Sequence, residues 1–296
     1  MTPESQLRAD IVEVGRRMYA RGYTASNDGN ISVRLGDDRL LMTPRSVCKG
    51  FMTPDMMCVT DLDGKKLQGD RDPSSEMLMH LEVYRQRPDA RAVCHAHPPI
   101  ATGFAVAGIP LDRAVLAEVL TTLGSIPIAE YATPSTAELP AALRKYVKAH
   151  DGMLLANHGA LTLGADLFSA YYKLETIEHF AKISLVARML GRENLIAREE
   201  VDRLQGLRTN YGIKAPAPIC PDPSLLGDLL SGPDPLTCQV VQAPEGDGRS
   251  RLVAERVVPG APLPNATAPD PGGDEEIRLT YRELSALIED AIRSLK

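Results

Sequence analysis

The stretch VCHAHPPI, residues 93 to 100, sets two histidines on either side of one alanine, after an apolar run and before two prolines. Side chains two residues apart on an extended strand share a face, so His95 and His97 can point at a common centre. Proline has no amide proton to give, so Pro98 breaks the ladder and leaves the pair at a strand end. Two imidazoles so placed are either metal ligands or histidines satisfied by hydrogen bonds in a turn, and a third ligand would decide. His158, in LLANHGAL with a glycine beside it, is the candidate, because a tight turn brings backbone and side chain close to a site. Three imidazoles suit a zinc ion that keeps one or more positions open, the catalytic rather than the closed structural pattern.

An open zinc polarises a carbonyl or a diol, and such chemistry needs a base. Glu76 is the candidate: it follows Pro-Ser-Ser at a helix start, where free amides and the hydroxyls of Ser74 and Ser75 can also hold a phosphate. On spacing alone a Ser-Ser-Glu run reads as a helix N-cap before it reads as a site. Asn27 and Asn30, in SNDGNIS, offer amide side chains next to a glycine, an anion contact or an ordinary turn. His80 lies one helical turn on from Glu76 and can support that side chain. His150 and the Glu175/His179 pair read as packing or surface residues.

Elements must carry these groups. Leu7, Ile11, Val14 and Met18 recur at helical spacing and Gly22 stops them, which predicts an opening helix over 4–21. Alternating apolar runs with an Asp-Gly pair in MMCVTDLDGKKLQG predict a β-rich region with a hairpin. A helix is expected from Pro73 to Gln86, with Ser74 as its cap. Strands are expected at ARAVCHAH and SIPIAEY, and a helix over AELPAALRKYVKAH. GMLLANHGALTLG should be a strand interrupted by a turn at 157–159, and a long helix should cover 167–190.

The 296 residues, 44% apolar, suffice for one sizeable core or two small ones. A net charge of -6 and the lack of a long basic run give no drive toward nucleic acid. No apolar stretch is long enough for a membrane span and no signal peptide is visible, so a cytoplasmic setting is expected. The five cysteines are scattered without paired spacing and read as reduced packing residues. From about residue 213 the composition changes: twelve prolines fall between 213 and 272, where LTCQVVQAPEGDGRSRLVAERVV could form one hairpin. The chain ends on LTYRELSALIEDAIRSLK, with a Thr280/Glu283 capping box and one apolar stripe.

Together and in this order, GNIS at 29–32, LMTP at 41–44, PSSEMLMH at 73–80, HAHP at 95–98, IPIAEYAT at 126–133 and NHG at 157–159 resemble the class II aldolases, the group of fuculose-phosphate aldolase, ribulose-phosphate epimerase and adducin. The resemblance covers residues 5 to 212. It implies an α/β/α three-layer fold around a largely antiparallel sheet over 1–212. The 213–272 segment would be a proline-rich extension and 273–296 an amphipathic C-terminal helix. It also implies a homotetramer with sites between subunits, Zn2+ on His95, His97 and His158, and phosphate held by Asn30, Ser74, Ser75 and neighbouring loops. Glu76 would be the acid/base, and Tyr211, in NYGIK, matches a family tyrosine that helps protonate an aldehyde oxygen.

Epimerase relatives carry aspartate at the Glu76 position and adducin-like members lack the metal histidines, so the resemblance points to carbon–carbon cleavage. The implied reaction is retro-aldol cleavage of a deoxy-ketose 1-phosphate, similar to L-fuculose 1-phosphate, to dihydroxyacetone phosphate and an aldehyde such as lactaldehyde. Two departures bear on the substrate. Arg45 and Ser46 stand where the family usually has a small residue and glycine, and Arg45 could meet a phosphate or a substrate carboxylate. The stretch AVLAEVLTTLG, where a family tyrosine should fall, has none; Glu118 is its only ionisable residue. Decarboxylation of a sugar-acid phosphate or hydroxylated aromatic acid is therefore the alternative, and a non-enzymatic adducin-like module the second. The terminal helix resembles the peptides that dock enzymes on bacterial microcompartment shell proteins; packing on its own domain or on a neighbouring subunit is the other reading.

Overall fold

The structure, a computed structural model, describes residues 2–210, 213, 219, 237–242 and 252–257. The chain divides into two units, Met1–Pro259 and Gly260–Lys296. The helix expected over 273–296 and most of the 213–272 extension lie outside the described residues. Within that extension the expected hairpin is present: β9 (Thr237–Gln242) pairs antiparallel with β10 (Leu252–Val257).

The first strands and helices run α1 (Glu4–Ala20), β1 (Asn30–Leu35), β2 (Arg39–Met42), β3 (Cys58–Asp61), β4 (Lys66–Gln68), α2 (Met77–Gln86), β5 (Ala92–Ala96) and α3 (Pro99–Val106). They are followed by α4 (Ala117–Thr122), β6 (Ile128–Ala129), α5 (Glu138–Leu143), β7 (Gly152–Leu155), β8 (Gly159–Gly164), α6 (Leu167–Met189) and α7 (Arg198–Leu207). The eight strands form one sheet in the order β4-β3-β2-β1-β5-β8-β7-β6. Every pairing is antiparallel except β6 with β7, so the sheet is largely antiparallel as expected.

The two faces of the sheet are covered differently. Ile31, Val33, Ala92, Cys94 and Leu154 pack under α1, α3 and α6, meeting Ile11, Val14, Met18, Phe104, Leu174 and Phe180. On the other face Leu40, Val93, Leu161 and Leu163 pack under α2 and α5, meeting Met79, Val83, Leu139 and Leu143. This is the three-layer α/β/α arrangement: alternate residues of each strand feed opposite cores. The periodicity of α1 is realised, with Ile11, Val14 and Met18 fully buried.

Three local expectations are corrected. The helix expected from Pro73 begins only at Met77, and Ser74 caps nothing in it; its hydroxyl instead accepts from the Glu76 amide at 3.2 Å. Pro73 is held in an isolated bridge with Pro44, which keeps this stretch extended and delays the helix. The helix expected through residue 150 stops at Leu143, and the remainder forms turns. Short α4 and amphipathic α7 carried no signal that the sequence reading used.

Candidate active site

β1 and β5 are neighbours in register, with Asn30 opposite His95, so these two side chains share the α2 face of the sheet. β5 also pairs with β8, His95 facing Leu161, which brings the turn that carries His158 beside the end of β5. Glu76 enters from above, at the residue just before α2. The loops on either side are joined: Ser74 N–H donates to the Thr43 carbonyl at 3.2 Å and Arg45 N–H to the Asp72 carbonyl at 2.9 Å. Residues from five separate stretches of chain thus meet at one sheet end.

The three imidazoles converge, with one ligand nitrogen from each of His95, His97 and His158 lying within 4.8 Å of the others. His95 Nδ1–H donates to the Ala160 carbonyl at 2.9 Å and His97 Nδ1–H to Asp28 Oδ2 at 3.3 Å. With both protons on Nδ1, the Nε2 atoms are bare, yet they face each other at 3.2 Å. Two lone pairs so close repel unless a cation lies between them, and an outer partner on each Nδ1 is how metal-binding imidazoles are oriented. The residues therefore fit a divalent ion. Burial, followed by neighbouring imidazoles and outweighing Glu76, pushes the His95 ring well below its ordinary pKa; His97 is also lowered, first by burial and then by His158. Both rings are thus kept in the neutral form that binds metal.

Gly159 has a different role from the one its place in a turn suggests. The left-handed residue of that turn is Asn157, at φ 54°. A Cβ on Gly159 would sit 2.5 Å from the Ala96 carbonyl oxygen and 2.6 Å from His97 Cδ2, so the glycine is required by the close approach of β8 to the histidine strand.

Glu76 is buried beside this centre. Its Oε2 accepts from Asn30 Nδ2 at 2.8 Å and lies 3.3 Å from His95 Nε2, and its Oε1 lies 3.1 Å from His158 Nε2. Burial works to raise the carboxyl, and the N–H that Asn30 donates works to lower it. Asn30 is 3% exposed, and both ends of its amide are engaged, by Glu76 and by His80. Its polar atoms thus face the carboxylate, not an open anion cradle.

A cavity of about 240 Å³ opens over these groups, lined also by Asn27, Arg45, Ser46, Ser74, Ser75 and Lys49. Ser46 sits at φ 57°, a left-handed conformation that glycine adopts without strain. Arg45 is exposed, and its guanidinium makes no hydrogen bond or ion pair with the described residues. Asn27 is exposed at the rim, its side chain accepting from Ser26 Oγ at 3.1 Å. Tyr211 lies outside the described residues.

Sequence reasoning missed two members of this site. Lys49 is 1% exposed, donates to the carbonyls of Asn27 at 3.0 Å and Val47 at 2.7 Å, and is pushed down to about 8 by burial. Asp28, the partner of His97, is the other; an acid next to a glycine just before a strand is its only sequence signal. A larger groove of about 960 Å³ along α6, by Arg21, Glu175 and His179, has no converging ligand set among the described residues.

The comparisons with known proteins agree with this geometry. Residues 9–185 match the profile of the Class II Aldolase and Adducin N-terminal domain. The chain belongs to the class II aldolase and adducin family. It is 31% identical over 190 residues to a 3-oxo-tetronate 4-phosphate decarboxylase of Pectobacterium atrosepticum, covering 63% of this chain and 87% of that one. It is 30% identical over 181 residues to an L-fuculose phosphate aldolase of Methanococcus maripaludis, covering 61% and 97%. Among solved structures, YgbL from Klebsiella pneumoniae superposes with a TM-score of 0.64 at 30% identity, over 69% of this chain and 100% of that one. Class II aldolase family members are typically dependent on a divalent metal, in keeping with the convergent imidazoles found here.

Proposed function

We propose that this protein is a metal-dependent carbon–carbon lyase that decarboxylates a phosphorylated 3-oxo sugar acid, of the kind named for its decarboxylase relative. The unengaged Arg45 guanidinium on the cavity wall carries this reading, because a carboxylate substrate needs a cation that no protein acid has already taken. The lack of a tyrosine in residues 114–124, where the resemblance to the aldolases places one, supports it as well.

The ion that His95, His97 and His158 would hold, zinc in our reading, supplies Lewis-acid polarisation of the substrate ketone when bound. Ser46, Ser74 and Ser75 would hold the phosphate beside the buried Lys49 ammonium, and Arg45 the carboxylate. The bond between the carboxyl carbon and its neighbour breaks, carbon dioxide departs, and the electron pair stays on the neighbouring carbon, conjugated with the ketone. Glu76, having taken a proton from solvent, delivers it to that carbon, a general-acid step.

Aldol cleavage is the second reading, favoured by glutamate at position 76 beside three retained histidines and by the aldolase relatives. The two reactions converge. A four-carbon 3-oxo acid 4-phosphate that loses its carboxyl and a ketose 1-phosphate that loses its aldehyde both leave dihydroxyacetone phosphate. One site can therefore be shaped to the common three-carbon fragment, while the leaving fragment separates the functions. The adducin-like module is disfavoured by the convergent imidazoles and Glu76. The reading also carries a homotetramer, which exposed Leu185, Val186 and Met189 on α6 and Leu190 just after it support, and a cytoplasmic or microcompartment setting in which 273–296 would dock on a shell protein. No helix among the described residues is long and apolar enough to cross a membrane.

The test measures both leaving fragments. Zinc-loaded protein is given 3-oxo-tetronate 4-phosphate and, separately, L-fuculose 1-phosphate, and carbon dioxide, aldehyde and dihydroxyacetone phosphate are followed. Carbon dioxide equimolar with dihydroxyacetone phosphate, with KM raised about tenfold or more in Arg45→Ala, supports decarboxylation. Aldehyde without carbon dioxide makes the protein an aldolase.

A further inference from the structure

Glu76 is the visible end of a longer buried arrangement. On the α2 face of the sheet, behind the carboxylate, stand Asn30, His80, Ser32 and Tyr84, none more than 3% exposed. Asn30 Nδ2 lies 2.8 Å from Glu76 Oε2, and Asn30 Oδ1 lies 2.5 Å from His80 Nε2. His80 Nδ1 is 2.6 Å from Ser32 Oγ. Tyr84 Oη is 2.9 Å from Ser32 Oγ and 3.0 Å from the Ser32 carbonyl.

The direction of every bond follows from the acid at one end. A carboxylate only accepts, so Asn30 must turn its NH2 toward Glu76 and its oxygen toward His80. That oxygen needs a donor, so the His80 proton sits on Nε2 and Nδ1 is bare. A bare Nδ1 must accept, so Ser32 gives its hydroxyl proton to His80. Tyr84 in turn donates to Ser32, shared between the hydroxyl and the carbonyl. The opposite order would set the Asn30 carbonyl oxygen against the carboxylate, an unpaired repulsion in a buried site.

We propose that His80, backed by Ser32 and Tyr84, is a positioning residue: through Asn30 it anchors Glu76 Oε2 to the sheet and leaves Oε1 as the oxygen that carries the proton to substrate. Glu76 Oε1, 3.1 Å from His158 Nε2, is the carboxylate oxygen not held by Asn30. The role assigned to Glu76 rests on the lyase reading above; the hydrogen-bond order does not. Burial keeps the His80 ring neutral, with a pKa pushed down to about 4, so the order persists at neutral pH.

Two readouts on the full chain test this. With 15N-labelled histidine, the NMR signature of His80, assigned by its loss in His80→Phe, should show a neutral ring protonated on Nε2 across pH 5.5–8. In the same spectra Ser32→Ala should release the ring into a mixture of tautomers. A proton on Nδ1 in the wild type overturns the proposal, whether or not the protein turns over any sugar phosphate. In kinetics, Gln places an N–H close to the position of Nε2 whereas Phe matches only the ring volume. His80→Phe should lose about 10- to 100-fold in kcat, with KM and bound zinc within about twofold of wild type. His80→Gln should restore most of it. The reverse order, Phe tolerated and Gln inactive, would show that the ring merely fills space. A wild type inert on both substrates defeats the lyase reading and leaves the tautomer measurement to decide the hydrogen-bond order.

Discussion

Asp28→Ala should weaken metal binding without touching any ligand. In the folded protein Asp28 Oδ2 accepts the Nδ1 proton of His97 at 3.3 Å, which fixes the tautomer that turns the bare Nε2 toward His95 and His158. An outer partner of a metal-bound histidine contributes about 10- to 100-fold in affinity. The bond here is long, and the Asp28 side chain is 43% exposed, so water takes part of its place in the variant and the low end applies. About tenfold, or about 1.4 kcal/mol, is therefore expected. Asp28→Asn keeps an oxygen that can accept and should lose only about threefold. Because Lys49 Nζ is tied to the neighbouring Asn27 carbonyl, Lys49→Met serves as a control for general loosening of the loop. The assay is competition for zinc against a chromophoric chelator at pH 7, with circular dichroism to check folding. An Asp28→Ala protein that holds zinc within twofold of wild type refutes the orienting role. A loss beyond about a thousandfold refutes it in the other direction, since Asp28 would then be a ligand itself.

Gly159→Ala should damage the metal centre more than the fold. Its new methyl must displace His97 Cδ2 or the Ala96 carbonyl, so a loss of about tenfold or more in zinc affinity is expected while the far-UV circular dichroism stays unchanged. His150 predicts acid sensitivity. It is fully buried and its pKa is pushed down to about 4, first by burial, while Ser125 and Asp151 act the other way. The unfolded chain takes up this proton near pH 6.5, so stability is complete above that value and is lost as pH falls toward 4, by about 3 kcal/mol. His150→Asn keeps a donor for the Ser125 carbonyl, which His150 Nδ1 reaches at 3.0 Å. Urea titrations of the metal-free proteins at pH 7 and pH 4 should show the variant losing about 3 kcal/mol less than wild type; parallel losses would mean that His150 is charged in the folded state.

The chemistry of the site was legible in the residue types, but its reach was not. His95 and His97 share a face because a strand alternates with a period of two, a property any extended segment carries in its own sequence. Helical spacing likewise exposed α1, and an Asp-Gly pair the β3–β4 hairpin. Short-range signals failed where neighbours decide. Pro73 and Ser74 look like a helix start, yet the bridge between Pro44 and Pro73 holds them extended. Asn30 looks like a turn amide free to meet an anion, yet its register opposite His95 and the approach of α2 enclose it between Glu76 and His80.

Lys49 shows the difference most clearly. In the sequence it is one lysine among many charged residues; in the fold it is a buried cation on the wall of the active cavity. What the sequence determined by itself was the inventory: three imidazoles, one acid, hydroxyls and an arginine, on elements whose periodicity is local. What only the tertiary structure decided was the pairing of β1 with β5 and of β5 with β8, the direction of the hydrogen bonds behind Glu76, and which charges lie in water. Register and burial are set by contacts between residues tens of positions apart, and no window of sequence short enough to show a period contains both partners.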